Sequence, residues 1–568
     1  MITFKNLFVK NSRIILVSSS FVLLAFGLLS FNNTDFKIAQ NLEIFFNVFR
    51  EVNALYVDET DPEKLIESSI NGMLESLDPY TTYISEEDVD EFKFMTTGKY
   101  GGVGALIRKA GHYTMVSEPY EGFPAQKSGL QAGDTILSID GVSTFDKNIA
   151  EVSEMLKGSP NTSLSLQIKR LGVDSVITHT LVREQVSIPN IPYYGMLNHN
   201  TGYILLSNFM PNAGKEVKAA SEDLMRQGAK SLILDLRSNP GGLLNEAVEV
   251  SNVWIERNQE IVSTRSRTGQ GDKTYLTRQS PVDTSMPLVV LVNRSSASAS
   301  EIVAGSLQDL DRAVVIGQRT FGKGLVQTTR PLNYNAHLKI TTAKYYTPSG
   351  RCIQALDYAH RNEDGSVGYI PDSLISAFKT RNGRIVYDGG GIEPDIKIVE
   401  DAPGNITMAL YAENHFFDFA TIFASKNSSI ERPAVFEVSN NLFDEFKLYL
   451  SDKQFTYSTE SSEMLQELIK TARYEGYYDK IQGELTALEA QLIGDREKDL
   501  QTFQVEIKEL LKDEIISRYY YQKGRIIASL NDDPEIQKAI DILNSKETLG
   551  TILNGSYKGE TVFAYYTR

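Results

Sequence analysis

The chain has 568 residues, which is too long for one hydrophobic core and predicts three or four folding units. Its hydrophobic content of 41% and charged content of 23% are those of an ordinary globular protein. The formal net charge of −16 argues against a nucleic-acid partner, because a phosphate backbone requires a basic surface. The single cysteine, Cys352, excludes an intramolecular disulfide and is interpreted as a small, partly buried residue rather than a catalytic thiol.

The N-terminal segment predicts export from the cytoplasm. Residues 14–31 are uncharged and mostly apolar, and as a helix they are just long enough to cross a bilayer core. Lys5, Lys10 and Arg13 precede them, which by the positive-inside rule places the bulk of the chain outside. An uncleaved membrane anchor is favoured over a cleaved signal peptide, because no A-x-A site follows. We therefore expect a bacterial inner-membrane protein facing the periplasm, or an exported one if the segment is cleaved.

The next two regions have sequence patterns that predict different secondary structure. Residues 35–89 are predicted to be largely helical; the clearest helix is Asp61–Leu77, where Asp61 can cap the start and Pro62 occupies the first position. From Tyr100 to Val186, short apolar runs divided by glycines predict a small β-rich domain. Within it, Gly101–Gly104 could present successive N–H groups to a terminal carboxylate, and the following strand could pair with a peptide. A tight glycine turn without a ligand remains the alternative.

Residues 202–395 alternate between buried strands and helices. The runs at 231–238, 286–293 and 312–317 are continuous and apolar, and helical patterns separate them. This β-α-β-α-β order predicts parallel strands joined by helical crossovers. After residue 402 the pattern is helical again, and two apolar stripes predict a hairpin or bundle whose stripe residues form a core or subunit interface: Ile481, Leu485, Leu488 and Leu492, then Leu500, Phe503, Ile507 and Leu510.

Three stretches at the ends of these strands carry residues suited to acyl-transfer chemistry. Ser298 to Glu301 reads S-x-x-E, a helix capping box in the purely structural interpretation. Asn239–Gly242 reads NPGG, whose glycines would let backbone N–H groups approach a substrate oxygen. Lys323 lies between two glycines, where burial would lower the pKa of its amine and make it a proton acceptor. No histidine lies between His199 and His337, which fits a Ser/Lys hydrolase.

Several long motifs in order resemble those of the C-terminal processing peptidases, also called tail-specific proteases. The similarity runs from about residue 45 to 398 and rests on these segments: LDPYTTYIS, LDLRSNPGG, SASASEIVAGSLQDLDRAVVIGQRTFGKGLVQ, KYYTPSGRCIQ and GGGIEPDI. The resemblance implies a multidomain α/β fold, with a crotonase/ClpP-like serine protease core and an inserted PDZ domain. It implies a serine endopeptidase that cleaves protein C-terminal regions and needs no metal or organic cofactor.

The resemblance also assigns residue roles. It implies Ser298 as nucleophile, Lys323 as general base and Gln327 as the residue that orients the lysine. An oxyanion hole would come from the N–H groups of Gly242 and Ala299. In the PDZ domain it implies that Gly102, Val103 and Gly104 bind substrate C-termini or gate the site. Asp309 matches an acidic position tied to activity in parts of the family, but we expect it to be structural.

The implied layout has five parts: a membrane anchor or signal segment at 1–34, a helical region at 35–97, a PDZ domain at 98–186, a Ser-Lys protease core at 187–400 and a helical extension at 401–568. Two features depart from the family pattern, the long segment Ala355–Val386 and the extension itself. The expected partners are proteins or peptides with free C-termini, an adaptor protein, and a second copy of the chain bound through the N- or C-terminal helices.

Two other classes of function compete with the protease. A catalytically silent PDZ scaffold would bind protein C-termini without cleaving them, but such a relative would be expected to have lost Ser298 or Lys323. Another acyl-chemistry enzyme on the same core, such as an acyl-CoA hydratase, would have no use for the PDZ-like region or the anchor. Both are therefore less favoured than a membrane-anchored serine protease.

Overall fold

A computed structural model describes residues 33–400, 402–457, 460–492, 496–557 and 562–564. The chain divides into two compact units, Met1–Tyr83 and Ile84–Arg568. Within the described ranges, no helix has both the length and the apolar character needed to span a membrane. The span predicted at residues 14–31 lies outside those ranges.

The first unit is helical where it is described, with α1 (Asn33–Leu55) and α2 (Pro62–Glu75). The predicted start of α2 is confirmed, because the Asp61 carboxylate accepts the N–H groups of Glu63 and Lys64 and Pro62 is the first helical residue. A short strand, β1 (Thr82–Ile84), follows. Three apolar side chains of α1, Phe36, Leu42 and Phe46, are 61–67% exposed.

The predicted β-rich domain is confirmed. Its elements are α3 (Val89–Thr97), β2 (Lys99–Gly102), β3 (Ala105–Ala110), β4 (Tyr113–Pro119), α4 (Pro124–Lys127), β5 (Thr135–Ile139), β6 (Val142–Ser143), α5 (Ile149–Leu156), β7 (Ser163–Lys169), β8 (Ile177–Val182) and β9 (Glu184–Ser187). The sheet runs in the order β3-β4-β5-β7-β8, so β3 is an edge strand, while β2 pairs separately with β9. Alternating residues of these strands, such as Leu164, Leu166 and Ile168, fill the core against α5.

The central part of the chain forms a seven-stranded sheet and a second, antiparallel sheet. Its elements are β10 (Tyr193–Met196), β11 (Thr201–Leu205), α6 (Ala213–Arg226), β12 (Ser231–Asp235), α7 (Leu244–Ser251), β13 (Glu260–Ser266), β14 (Lys273–Leu276), β15 (Leu288–Val292), α8 (Ala299–Asp309), β16 (Val314–Gly317), β17 (Leu325–Pro331), β18 (His337–Tyr346), β19 (Leu356–Arg361), β20 (Val367–Tyr369), a 3-10 turn (Asp372–Leu374), β21 (Ala377–Lys379), β22 (Ile385–Tyr387) and β23 (Ile396–Glu400).

The predicted β-α-β-α-β order is confirmed in this region. Strands β11, β12, β15, β16 and β23 are parallel neighbours, with Leu232 opposite Leu288 and Val289 opposite Val314. The strands are buried on both faces, which explains why they read as continuous apolar runs. The second sheet joins β17, β18, β13 and β14 in antiparallel pairs.

The C-terminal part is helical apart from its last strand. Its elements are α9 (Asn405–Ala412), α10 (His415–Lys426), α11 (Asn440–Ser451), α12 (Glu460–Tyr474), α13 (Tyr478–Leu492), α14 (Arg496–Thr502), α15 (Gln504–Ser529), α16 (Pro534–Asn544), α17 (Lys546–Leu553) and β24 (Val562–Ala564). The second predicted stripe is largely buried, with Leu500 and Ile507 in a core. In the first stripe Leu485 is buried but Leu488 is 43% exposed. Helix α13 packs along α12, so these two helices form the predicted hairpin.

The last described elements, α16 and β24, belong to the parallel sheet rather than to a separate domain. Ile536, Ala539 and Ile542 of α16 share one buried cluster with Ile233 and Leu291 of the sheet. Strand β24 adds to β23 as a further parallel strand. The sheet therefore has helices α7 and α8 on one face and α16 on the other, so part of the helical extension completes the fold of the core.

Candidate active site

Ser298, the predicted nucleophile, lies in the turn between β15 and α8. Its backbone has φ 56° and ψ −110°, a conformation that non-glycine residues rarely adopt. Both β15 and α8 are fully buried, while Ser298 itself is partly exposed. The two buried elements hold the turn from both sides, so the strained conformation is over-determined by its surroundings, as at many functional sites.

The Glu301 carboxylate connects this turn to the loop that carries Lys323. Its Oε2 atom accepts the N–H of Ser298 at 2.8 Å and the N–H of Lys323 at 2.9 Å. Its Oε1 atom accepts the N–H of Gly322 at 2.7 Å and the Thr320 hydroxyl at 2.6 Å. Burial raises the pKa of Glu301, while these four donors act to lower it. The glutamate of the predicted capping box therefore does more than cap a helix, since it ties the two predicted dyad residues together.

The lysine loop is packed too closely for side chains at its two glycines. Gly322 has φ 88°, and a Cβ there would lie 2.4 Å from the Ala355 Cβ. A Cβ at Gly324 would lie 2.7 Å from the backbone nitrogen of Gln354. The Gln354 side chain also accepts the Gly324 N–H at 2.8 Å. Lys323 is partly buried between these contacts, and the insertion predicted from Ala355 onward begins directly against the loop.

Tyr345 of β18 contacts both predicted dyad residues from the carbonyl side. Its hydroxyl lies 3.1 Å from the Ser298 carbonyl oxygen and also donates to the Lys323 carbonyl oxygen. The side chain is almost completely buried, with 1% exposure. Its own N–H donates to the carbonyl of Gly324, so the strand is also bonded to the lysine loop through the backbone.

The NPGG segment lies against the serine turn. The Asn239 carbonyl accepts the Ala297 N–H at 3.0 Å and the Ser300 hydroxyl at 2.9 Å. Gly241 has φ 102°, and a Cβ there would lie 2.9 Å from both the Ala299 nitrogen and the Ser298 Cβ. These contacts require glycine at position 241 and bring the loop beside the nucleophile turn.

Two backbone N–H groups at this junction are available to a ligand. Gly242 is exposed. The backbone of Phe209 bonds to the Gly241 carbonyl and to the Leu243 N–H, and it leaves the Gly242 N–H unbonded. Ala299 is the first residue of α8, where helical N–H groups have no intrahelical acceptor. Across the part of the chain that the structure describes, neither N–H has a hydrogen-bond acceptor. The arrangement can stabilise a developing oxyanion.

The other predicted site residues lie in two places. Gln327, opposite Thr341 in the β17–β18 pair, donates its amide N–H to the Thr341 hydroxyl at 3.1 Å. In the small β domain, Gly102 ends β2 and Gly104 has φ 73°. Between them Val103 is buried, and its carbonyl accepts the Ala125 N–H. These glycines directly precede the edge strand β3, as the sequence predicted.

The C-terminal extension reaches the base of the NPGG segment. Arg237, two residues before Asn239, pairs with Asp235, the last residue of β12. The same guanidinium contacts Asp533 at 2.7 Å and Glu535 at 2.8 Å at the start of α16. Burial by itself would lower the pKa of the Arg237 guanidinium, but the three carboxylates, Asp235 foremost, raise that pKa well above its ordinary value.

Comparison with known proteins gives a consistent result along most of the chain. Residues 200–359 match Peptidase family S41, 115–170 match a PDZ domain, 406–543 match "Probable PDZ-protease, C-terminal helical domain", and 29–88 match "Activating protease CtpB N-terminal domain". A carboxy-terminal-processing protease of Bartonella bacilliformis is 36% identical over 365 residues, which is 64% of this chain and 80% of that protein. The chain belongs to the S41 family of carboxy-terminal processing proteases.

Other members of the S41 family match over a similar span. The carboxy-terminal processing protease CtpA of Bacillus subtilis is 33% identical over 62% of this chain and 74% of its own length. The carboxyl-terminal-processing protease of Synechocystis is 36% identical over 63% and 86%. A solved photosystem II D1 C-terminal processing protease aligns at 30% identity over 55% of this chain and 89% of that one, with a TM-score of 0.33. The predicted resemblance is confirmed, and the chain is a serine-type peptidase with a PDZ domain.

Sequence reasoning missed two features of this candidate site. Glu301 was predicted only as a capping residue, and Tyr345 was read only as part of the KYYTPSGR motif. For Glu301 the signal was present, because a carboxylate at the third helical position is well placed to accept N–H groups at the helix start. For Tyr345 there was no such signal, since β18 is distant in sequence from both residues that its hydroxyl contacts.

Proposed function

We propose that Ser298 and Lys323 form the catalytic dyad of this peptidase. Neutral Lys323 accepts the Ser298 hydroxyl proton as the Ser298 oxygen attacks a peptide carbonyl. The proton then passes to the leaving amine, the peptide C–N bond breaks, and an acyl-enzyme forms. Water attacks the ester next, which releases the new C-terminus and restores the Ser298 hydroxyl.

One observation carries this assignment. The backbone N–H groups of Ser298 and Lys323 donate to the same oxygen atom of Glu301, at 2.8 Å and 2.9 Å. Two loops that follow different strands of the sheet are thereby brought side by side at the carboxyl ends of those strands, where parallel α/β sheets place their active sites. A serine and a lysine held in this way favour acyl transfer over a scaffold role.

The remaining residues take supporting roles in this proposal. The oxyanion of the tetrahedral intermediate accepts the N–H groups of Gly242 and Ala299. Gln327 orients the Lys323 amine from the neighbouring β17 strand, and its own amide is fixed by Thr341. The N-terminal end of α8 adds a favourable electrostatic field for the negative charge.

The PDZ domain is proposed to bind substrate C-termini at Gly102–Gly104, with the peptide added as a strand along β3. The free edge of β3 and the positive φ of Gly104 support this role. Its position is coupled to the helical extension, because Glu118 pairs with Arg525 at 2.7 Å and Arg108 stacks on the Phe417 ring. Peptide binding at β3 would act on these contacts, which is the proposed basis of gating.

Location and assembly complete the proposal. Residues 14–31 anchor the chain in the inner membrane of a bacterial envelope, and the protease faces the periplasm. If the segment is cleaved, the protease is exported instead. The bacterial relatives support the bacterial envelope, and the basic residues before the segment support the orientation. The exposed apolar side chains of α1 favour a homodimer through the N-terminal helices. The α12–α13 hairpin is the proposed docking surface for an adaptor. The five-part layout predicted from the sequence is retained, with α16 to β24 added to the protease core.

The dyad is tested with the soluble part of the chain, from about residue 33, and an unstructured protein that ends in an apolar free C-terminus. We expect Ser298→Ala, Lys323→Ala and Lys323→Arg all to lack cleavage, the last because a guanidinium cannot lose its proton. Unchanged cleavage by the first two variants would overturn the dyad. A C-terminally amidated substrate tests tail recognition separately, since equal cleavage of it would remove the PDZ role and leave the dyad intact.

The anchor and the dimer need their own measurements. With the full chain expressed in a bacterium, we expect the protein in the membrane fraction and its protease core digestible from the periplasmic side. Deletion of residues 14–31 should release it. Recovery of the intact chain in the soluble fraction would contradict the anchor. A monomeric mass for the soluble part in solution would contradict the dimer.

A further inference from the structure

The hydroxyl of Tyr345 lies between the main chains of the two proposed dyad residues. It is 3.1 Å from the carbonyl oxygen of Ser298 and donates to the carbonyl oxygen of Lys323. The side chain comes from a strand of the second sheet, β18, and is 1% exposed. A buried tyrosine hydroxyl needs an acceptor, and here it meets two carbonyl oxygens that belong to the residues that would react.

We propose that Tyr345 is a positioning residue that fixes the Lys323 amine relative to the Ser298 hydroxyl. This inference rests on the proposed dyad and adds to it a third residue that does not touch the substrate. Tyr345 acts through the main chain, since its hydroxyl contacts the carbonyl oxygens of both residues.

The physical basis is that two side chains, Glu301 and Tyr345, hold each dyad residue from opposite sides of its main chain; we call these two side chains the clamps. Glu301 accepts the N–H of Ser298 and of Lys323, while Tyr345 meets the carbonyl of each. A residue held only at its N–H can still rotate about the bonds that flank its Cα, and its Cβ changes direction as it does so. Holding the carbonyl as well fixes the direction of Cβ. Proton transfer between the two side chains needs this precision, because a misplacement of about 1 Å costs about a hundredfold in rate.

The two clamps are not equivalent. Glu301 satisfies four donors with two oxygens, so the loss of one bond leaves others in place. Tyr345 has a single proton, which the two carbonyl oxygens share. Removing its hydroxyl therefore weakens both contacts at once and frees the carbonyl side of Ser298 and Lys323 together.

The neighbouring residue provides a matched control. Tyr346 follows on the same strand, and because side chains alternate along a strand it faces the other side of β18. Its ring lies under the Arg265 guanidinium at 4.1 Å, away from the dyad. Among the residues that the structure describes, its hydroxyl has no hydrogen bond, so Tyr346→Phe removes an equivalent group without touching either carbonyl.

The experiment compares Tyr345→Phe with Tyr346→Phe in the soluble part of the chain. For Tyr345→Phe we expect kcat to fall by about 10- to 100-fold with KM changed less than about threefold, since substrate binding does not involve this residue. The rate at which a small sulfonyl fluoride labels Ser298 should fall in parallel, because labelling needs Lys323 to take the serine proton. Tyr346→Phe should match wild type in kcat, KM and labelling. If the role of Tyr345 were purely structural, the variant would contain less folded protein, but kcat and KM calculated per folded molecule would both stay at their wild-type values.

Several outcomes overturn the inference. A Tyr345→Phe enzyme with wild-type kcat and labelling rate would do so, as would equal losses in the two phenylalanine variants. If Ser298→Ala or Lys323→Ala kept activity, the dyad itself would fall; if they lost it while Tyr345→Phe did not, only the role of Tyr345 would fall. Should Tyr345→Phe not fold, 4-fluorophenylalanine at position 345 fills the volume of the hydroxyl without donating. In that case 3-fluorotyrosine, which keeps the donor, should restore kcat.

Discussion

Glu301 holds Lys323 by its main chain, with the Oε2 atom accepting the Lys323 N–H at 2.9 Å. The same carboxylate is fully buried and also holds the serine turn and Thr320. Burial of a charge is unfavourable unless donors surround it, and here four do. The local geometry of the proposed dyad therefore depends on a residue that has no part in the chemistry.

Replacing Glu301 by glutamine should separate the two loops. The amide group substitutes one acceptor oxygen with a donor, so at least one N–H of the cluster faces an N–H instead of an oxygen. We expect Glu301→Gln to lower kcat by at least about tenfold and the free energy of unfolding by about 1–3 kcal/mol. Steady-state cleavage of a short peptide and urea unfolding measure the two effects.

Glu151 provides a control for that substitution. It closes a similar capping box in the PDZ domain, where its carboxylate accepts the Asn148 N–H at 2.8 Å, and it is exposed. Glu151→Gln should leave cleavage of the short peptide at the wild-type rate. Wild-type kcat in Glu301→Gln would show that the carboxylate is not needed to align the site.

A side chain at Gly241 should disable the site while leaving most of the fold intact. The added Cβ would lie 2.7 Å from the Ala297 carbonyl and 2.9 Å from the Ala299 nitrogen, so the serine turn must shift away from the NPGG segment. The shift would also displace the proposed oxyanion-hole N–H groups of Gly242 and Ala299. We therefore expect Gly241→Ala to lower kcat by about a hundredfold or more, the loss expected when one such donor is removed. The rate of peptide cleavage and the circular dichroism spectrum distinguish this from unfolding.

Gly228 separates backbone strain from the contact. Its φ of 105° is close to the 102° of Gly241, but a Cβ there would have nothing within 4 Å. Gly228→Ala should therefore cost stability by about 1–2 kcal/mol and leave kcat unchanged. If both alanine variants lost activity equally, the contact with the serine turn would not be the cause.

Much of the fold could be predicted because its signals are local. The apolar runs that became β12, β15 and β16, and the Asp61 cap of α2, are each visible within a few residues. The place of α16 could not be predicted in this way. Its apolar face fits a bundle as well as a sheet, and only the three-dimensional structure shows Ile536 and Ile542 packed against β12 and β15.

The site was predictable to the extent that family motifs name its residues. The positions of Ser298, Lys323 and the NPGG segment on adjoining loops follow from their places after parallel strands. The contacts that connect those loops could not be predicted in this way. Tyr345 and Glu301 bond to residues far from them in sequence, and no periodic pattern of residues marks such pairs. Long-range hydrogen bonds of this kind depend on how the second sheet packs against the first.

Asp309 tests whether an acidic position near the site is structural. Its carboxylate pairs with Arg351 at 2.8 Å, with both side chains fully buried, and it accepts the Ser349 N–H at 3.0 Å. Asp309→Ala leaves a buried guanidinium without this partner, so we expect stability to fall by about 3–5 kcal/mol. The kcat per folded molecule should stay near wild type. Loss of activity in a fully folded Asp309→Ala protein would instead assign it a direct role.

The matching double variant refines that measurement. Asp309→Ala combined with Arg351→Met removes both buried charges, so it should recover part of the stability lost in Asp309→Ala alone. Urea unfolding of the wild type, both single variants and the double variant gives the coupling. An additive loss in the double variant would contradict a direct ion pair.

Asp513 on α15 predicts a pH-dependent stability. Burial raises the pKa of this carboxyl from 3.8 to about 6, although Arg525 opposes the shift. The native state therefore holds the proton to a higher pH than the unfolded state, and stability falls as pH rises from about 4 to about 6, by at most about 3 kcal/mol. Asp513→Asn removes this ionisation, so we expect the variant to be more stable than wild type above about pH 6 and the difference to shrink near pH 4. Urea unfolding of both proteins across this range measures it; a difference that does not change with pH would contradict the shifted pKa of Asp513.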